Sequence, residues 1–159
     1  MTRFLKTLES KVRINYHDCH PFNHLNNARY IDYIVSARTE QLLENYGFNT
    51  AEIAQKECIG WVTVLTQISY LFPAIWVEKV IIETRLISFS ESSLMEEAFM
   101  WNENKTKMYA IMWAKLVHFN IGTQKSLKHS EEYMELFRNV DFPIDGKPTF
   151  EERVKSVRP

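Results

Sequence analysis

Between residues 17 and 24 the chain reads HDCHPFNH, which places three of its five histidines and one of its two cysteines within eight positions. Imidazole and thiol groups at that density can do three kinds of chemistry. They can ligate a metal ion, pair as a thiolate nucleophile with an imidazole base, or line a pocket in which an acyl group is handled. For the first, His17, Cys19, His20 and His24 are all competent ligands. Their spacing, H-x-C-H-x3-H, matches no common zinc signature, and no second cluster follows, since His118 and His129 stand alone. No metal is expected. For the second, neighbouring residues of an extended segment point to opposite sides, so Cys19 is better placed to meet His17 than His20. A small, inert, mostly buried thiol is the ordinary reading of Cys19.

The elements around this stretch decide what it can do. Upstream, KVRINY alternates apolar Val12, Ile14 and Tyr16 with polar partners, as a half-buried strand does. Downstream, residues 28–46 have helical spacing, with Ile31, Ile34, Val35, Leu42 and Tyr46 on one side. Asn27 is the expected N-cap and Gly47 the residue that ends the helix with positive φ. A short helix capped by Thr50 is expected at TAEIAQKE. From Ile59 the period changes to two, and GWVTVLTQISYLF, EKVIIETRLISFS, SLMEEAFMWNE and KMYAIMWAKLVHFNI are four long strand candidates with short connections. A helix capped by Ser130 follows. The pattern predicts an α+β domain over residues 1–140, with one long apolar helix wrapped by a curved antiparallel sheet of five strands. Residues 141–159 hold three of the five prolines and are expected as an extended tail.

One residue breaks the helix's apolar face. Arg38 stands four after Ile34 and four before Leu42, and so points where they point. A guanidinium facing a core needs a partner or a wet cavity. It either snorkels or pairs with a carboxylate such as Asp18 or Glu83, or it lines a cavity that receives an anion or a carbonyl oxygen.

Composition narrows the classes. Of the 159 residues, 45% are hydrophobic and 25% charged, and 19 basic residues against 20 acidic ones give a net charge of −1. That is the profile of a soluble globular domain, without the basic stripe of a nucleic-acid binder. The opening residues lack a signal-peptide h-region and no apolar run reaches membrane-spanning length, so a cytoplasmic location with free thiols and no membrane partner is expected.

The stretch from Tyr16 to Arg38, YHDCHPFNHLNNARYIDYIVSAR, resembles the hotdog-fold thioesterases of the 4-hydroxybenzoyl-CoA thioesterase and acyl-CoA/acyl-ACP thioesterase group. Their pattern, Y-x-D-T-D-x-x-G-H-V-N-N-x-x-Y and then A-R on the central helix, lies over it without a gap. Tyr16, Asp18, His24, Asn26, Asn27, Tyr30, Ala37 and Arg38 all match. The likeness continues through the strands to about residue 125. Three departures stand out. The second acid of the family's D-x-D, which attacks the thioester or activates water, is His20 here. The Gly before the histidine is Asn23, and the family's Gly-Asp pair at the third strand is Val77-Glu78.

The resemblance implies hydrolysis of an acyl-CoA or acyl-carrier-protein thioester, with CoA entering only as part of the substrate and no separate cofactor. An imidazole titrates near neutrality and is a competent base, so His20 is expected to take the role of the missing acid, with His24 as the second candidate. Backbone N–H groups from Asn26 to Ala28 are expected to meet the carbonyl oxygen, where the helix dipole adds positive potential. Arg38, which some relatives lacking the acid are thought to use, is expected to fix the water or the carbonyl, and Asp18 to hold His17 or Arg38. Asn27 is expected to shape the loop and the helix start. Tyr30, Ile34 and Trp61 would line the acyl chain, and Ser92 and Ser93 would lie near the pantetheine. Arg85, Lys105 and Lys107 are candidates for the CoA phosphates. The family's habit of pairing implies a homodimer or a dimer of dimers. Two other readings remain: a non-catalytic acyl-CoA- or carrier-protein-binding module, favoured by the missing acid, and an acyl thioester hydratase or dehydratase, disfavoured because its G-D-x-N-P-hydrophobic-H motif is absent.

Overall fold

The computed structural model describes residues 4–158. Five strands form one antiparallel sheet: β1 (Thr7–Arg13), β2 (Ile59–Tyr70), β3 (Lys79–Phe89), β4 (Ser93–Asn102) and β5 (Met108–Asn120), in the spatial order β1-β3-β4-β5-β2. The 20-residue helix α1 (Asn27–Tyr46) lies on the concave face, followed by the short α2 (Thr50–Glu57). Two further helices, α3 (Glu131–Val140) and α4 (Phe150–Val157), close the chain. This is the hotdog arrangement, a sheet curled around one helix. A β-bulge in β2 between Thr63 and Leu65 and another in β3 between Leu86 and Ser88 add the local bend that curling needs.

Local chemistry sets the helix ends. Asn26, not Asn27, caps α1, its side chain accepting from the Ala28 N–H. Gly47 ends the helix at φ 65°. Asn49, one residue before the expected Thr50, caps α2. Ser130 caps α3 as expected. In the first two cases the residue just before the expected one was also a strong capping type, and the backbone turned there.

The core between α1 and the sheet is built on Ile14, Leu25, Tyr30, Ile34, Val80, Ile82, Met100, Ala110 and Met112. The buried face is the expected one rotated off Val35: Ile34 is buried, and Ile31, Leu42 and Tyr46 are half-buried. Tyr30, Ile34, Ala37, Arg38 and Gln41 are buried, while Val35 is 52% exposed. The reason is a buried polar network. Arg38 Nη1 donates to Thr84 Oγ1 at 2.9 Å, Thr84 Oγ1 donates to Gln41 Oε1 at 2.6 Å, and Gln41 Nε2 donates to Ser10 Oγ at 2.8 Å and to the Ile82 carbonyl. A network satisfied in this way fixes the rotation of α1 against β1 and β3.

The expected extended tail is corrected in part. Residues 150–157 are helical, because Thr149 and Glu152 form a reciprocal capping box that supplies the first turn's missing hydrogen bonds. The helix lies on the convex face, where Phe150, Val154 and Val157 pack on Phe99, Met108 and Ile111. Arg153 also forks onto the fully buried Glu97 at 2.8 and 2.9 Å. The prolines that suggested an extended chain all lie outside α4.

Candidate functional site

The loop before α1 is held from three sides. Asp18 accepts from the Tyr33 hydroxyl at 2.5 Å and lies 3.9 Å from the Arg29 guanidinium. Burial and the Asp18 carboxylate together push the Tyr33 phenol up to about 12, so it stays a donor. Asp18 therefore holds the loop to α1 through Tyr33 and Arg29, not through His17 or Arg38. Tyr30 accepts from the Ala74 N–H at 3.0 Å and ties α1 to the segment after β2. Asn23 has φ 63°, the left-handed geometry that a Gly would otherwise supply.

Within this frame His20 and His24 meet edge to face, ring centroids 5.3 Å apart. The Phe22 N–H points at His20 Nδ1 from 3.3 Å. That bond assigns the neutral ring a proton on Nε2 and makes His20, as placed, a donor at Nε2. The His24 ring makes no side-chain hydrogen bond among the described residues, which leaves either nitrogen free to accept. Cys19 is half-buried with its Sγ toward the Asn15 carbonyl, and burial pushes its thiol up, as befits an inert residue. Among the described residues no three His, Cys, Asp or Glu side chains converge as a metal site.

The helix start offers one donor rather than several. The Asn26 N–H goes to the Asp18 carbonyl, the Ala28 N–H to Asn26 Oδ1 and the Arg29 N–H to the Asn26 carbonyl. Among the described residues this leaves the Asn27 N–H without a partner beside the histidine loop. Asn27 and Ala28 are exposed, so a substrate has access to that turn.

The remaining expected site residues lie elsewhere. Arg38 stands eleven residues beyond Asn27 (38 − 27), about 16 Å further along the helix. Its Nε donates to Glu96 Oε1 at 3.3 Å, so its carboxylate partner is neither Asp18 nor Glu83. One chain does not bring Arg38 to His20. Trp61 stacks on His118 with centroids 4.3 Å apart and donates from Nε1 to His129 Nε2 at 3.0 Å. Ser92 and Ser93 form the β3–β4 turn, where both N–H groups and the Ser93 hydroxyl engage Ser90 Oγ. That turn adjoins His118, whose N–H donates to the Ser92 carbonyl, at the sheet end opposite the histidine loop. Of the phosphate candidates, Arg85 is committed to Glu83, and Lys105 to Glu83 and Glu9. Lys107 lies over the Phe72 ring at 4.4 Å.

Around Arg38 the structure opens a second feature, a cavity of about 390 Å³ between α1, α2, β2 and β5. Ile34 and Trp61 line it, as does Glu96. Glu96 was absent from the sequence-level candidates, although a signal existed. In SLMEEAFM two adjacent acids sit inside an apolar strand, and alternation sends one to each face. Glu96 meets Arg38 on the inner face, and Glu97 meets Arg153 on the outer.

The thioesterase-like superfamily profile matches residues 14–149. The chain belongs to the thioesterase-like superfamily. Solved structures with the same fold include a DHNA-CoA thioesterase from Staphylococcus aureus (14% identity, 95% of this chain and 92% of that one, TM-score 0.74). A 1,4-dihydroxy-2-naphthoyl-CoA thioesterase from Synechocystis is similar at 12% identity, 86% and 99% coverage and TM-score 0.76. A Staphylococcus aureus protein solved in complex with CoA has 12% identity, 91% coverage of both chains and TM-score 0.76. No curated protein matches this member of the superfamily by sequence. Its α4, at residues 150–157, follows the matched segment.

Proposed function

We propose that this protein hydrolyses an acyl thioester of CoA or of acyl carrier protein, with water activated in the histidine loop. The observation that carries the reading is the His20–His24 pair, 5.3 Å between ring centroids, standing before a helix start whose Asn27 N–H is unused. In relatives of the resembling group a carboxylate takes the position of His20. Here the roles divide between two imidazoles. His24, free at both nitrogens, accepts the proton of the attacking water. His20, with its proton on Nε2, and the Asn27 N–H are the donors available to the carbonyl oxygen as it gains charge. Collapse of the tetrahedral intermediate releases the thiol, which takes the proton held by His24. The CoA bound by one structural neighbour supports CoA as a carrier.

A second copy belongs in the proposal. Strand β2 is the last of the sheet, 12 residues long, and exposes Val62, Val64 and Leu65 at 44–55%. A long apolar edge of this kind is a pairing surface, and edge-to-edge association gives a homodimer or, by further pairing, a dimer of dimers.

The test is thiol release from a panel of acyl-CoAs of different length by wild type, His24→Ala and His20→Ala. Loss of about 10²–10⁴-fold in kcat for His24→Ala is expected, with a smaller loss for His20→Ala. Full turnover in His24→Ala overturns its role as base. No thiol release from any CoA or carrier-protein ester overturns hydrolysis and leaves a binding module.

A further inference from the structure

The cavity beside Arg38 has a chemistry that thioester hydrolysis does not use. Its walls are mostly apolar, with Ile34, Val35 and Leu42 from α1 and Met112, Ala114 and Leu116 from β5, and three threonines among them. At about 390 Å³ it falls within the range of small-molecule sites. Into this apolar space one ion pair is set. Arg38 is only 7% exposed, and Glu96 is half-buried beside it. Of the guanidinium's five N–H groups, one goes to Glu96 Oε1 and one to Thr84 Oγ1. Among the described residues, Arg38 Nη2 and Glu96 Oε2 have no hydrogen-bond partner. The donor and the acceptor left over thus belong to two residues that line the cavity, alongside the apolar side chains and Thr39, Thr50 and Thr63.

We infer that this cavity receives the far end of the acyl group and that the Arg38–Glu96 pair selects chains ending in a neutral hydroxyl over those ending in a methyl or a carboxylate. A hydroxyl can accept from Nη2 and donate to Oε2 at once. A methyl would take both polar groups out of water without replacing its hydrogen bonds, which costs more than the contact gains. A carboxylate would find Arg38 already neutralised and would stand against Glu96. The selection is one of shape and hydrogen bonding on a site whose charge is balanced.

The helix gives the path and the length. Asn27, Ile31, Val35 and Thr39 follow one another at i, i+4 along α1, a row that is exposed or half-buried throughout, and its last two members line the cavity. The Tyr70 hydroxyl, at the end of β2, donates to the Asn27 carbonyl. The start of β2, at Gly60, Trp61 and Thr63, lines the cavity at the far end of the same helix. Ten residues separate Ala28 from Arg38 (38 − 28), about 15 Å, and side chains lean back toward the helix N-terminus, which leaves about 12 Å. An extended chain advances about 1.2 Å per bond, so an acyl group held at the helix start reaches the pair with about ten to twelve carbons.

The inference rests on the thioesterase reading for the near end of the ligand, and its test separates the two. Binding of dodecanoate, 12-hydroxydodecanoate and dodecanedioate is measured by calorimetry for wild type, Glu96→Gln and Ala114→Leu, and hydrolysis is followed with the CoA esters of the first two. The expected result for wild type is 12-hydroxydodecanoate bound about tenfold or more tightly than dodecanoate, the size of one hydrogen bond to a charged group, with dodecanedioate weakest. In Glu96→Gln the arginine is no longer neutralised and dodecanedioate becomes the tightest of the three. Ala114→Leu, which fills the cavity from the position paired with Glu96 across the strands and keeps both members of the ion pair, weakens all three. Equal affinities in wild type, no measurable binding, or an unchanged order in Glu96→Gln overturn the inference. Hydrolysis of both esters at equal kcat/KM overturns it and leaves the thioesterase reading standing. The expected binding order without hydrolysis of either ester overturns the thioesterase reading alone.

Discussion

Replacing Arg153 by Met tests whether α4 belongs to the folded domain. The Glu97 side chain is fully buried on the convex face of the sheet, and its carboxylate accepts from Arg153 Nε at 2.8 Å, Arg153 Nη2 at 2.9 Å and Trp113 Nε1 at 2.8 Å. Removing one partner of a buried pair costs about 3–5 kcal/mol, because the charge left behind is desolvated without compensation. Part of that is recoverable. Arg85 Nε is buried without a hydrogen bond, 3.7 Å from Glu97 Oε1, and the carboxylate can turn toward it. Met keeps most of the apolar packing of the Arg153 stem. The expected loss is therefore at the low end, about 3 kcal/mol, which for a chain of 159 residues lowers Tm by about 6–12 °C. Urea and thermal denaturation, followed by circular dichroism and tryptophan fluorescence, measure it. Adding Glu97→Gln removes the stranded charge and should restore part of the loss. Arg138→Met, which breaks only exposed pairs to Glu131 and Glu135, should leave the midpoint unchanged. A loss below about 1 kcal/mol for Arg153→Met would refute the argument and make α4 a segment that merely rests on the surface.

Burial holds the stacked His118 and His129 imidazoles below their ordinary value of 6.5. The unfolded chain therefore binds more protons than the folded one just below that value, and stability should fall as the pH drops through 6.5 and be flat above about 7.5. Urea midpoints between about pH 5 and 8 should show this, and a His118→Gln/His129→Gln double variant should lose the slope. A wild-type midpoint that rises on acidification contradicts it. The two thiols should differ in reaction with an aromatic disulfide reagent. Exposed Cys58 should react quickly and half-buried Cys19, with its thiol pushed up, slowly; two equal fast phases would remove the inert role given to Cys19. Val77 has φ 86°, which strains a β-branched residue, and its side chain is half exposed. Val77→Gly should stabilise by about 1 kcal/mol after the glycine's entropy cost, and a lower urea midpoint would show that the strain is not there.

Much of the fold was legible because it depends on short-range rules. Period-two alternation placed β2 to β5 within one or two residues, and helical spacing with Gly47 placed α1. The prolines around α4 disguise it as extended chain, although Thr149 and Glu152 spell a capping box. At the site, the left-handed Asn23 and the inert Cys19 followed from residue type. The partner of Arg38 did not, because Glu96 is 58 residues away and no short-range rule pairs an arginine on a helix with a carboxylate on a distant strand.

The sequence alone determined the elements, their order, and the histidine loop at a helix start, since propensity, periodicity and capping act over a few residues. It also carried the family pattern that the matched profile bears out. Only the tertiary structure decided how far α1 is rotated, because the network through Thr84, Gln41 and Ser10 draws Arg38 and Gln41 inward and leaves Val35 exposed. Only the tertiary structure separated the expected site into two places, the His20–His24 loop and the Arg38–Glu96 cavity. A straight helix carries residues eleven positions apart to different ends of the sheet, and no local rule expresses that distance.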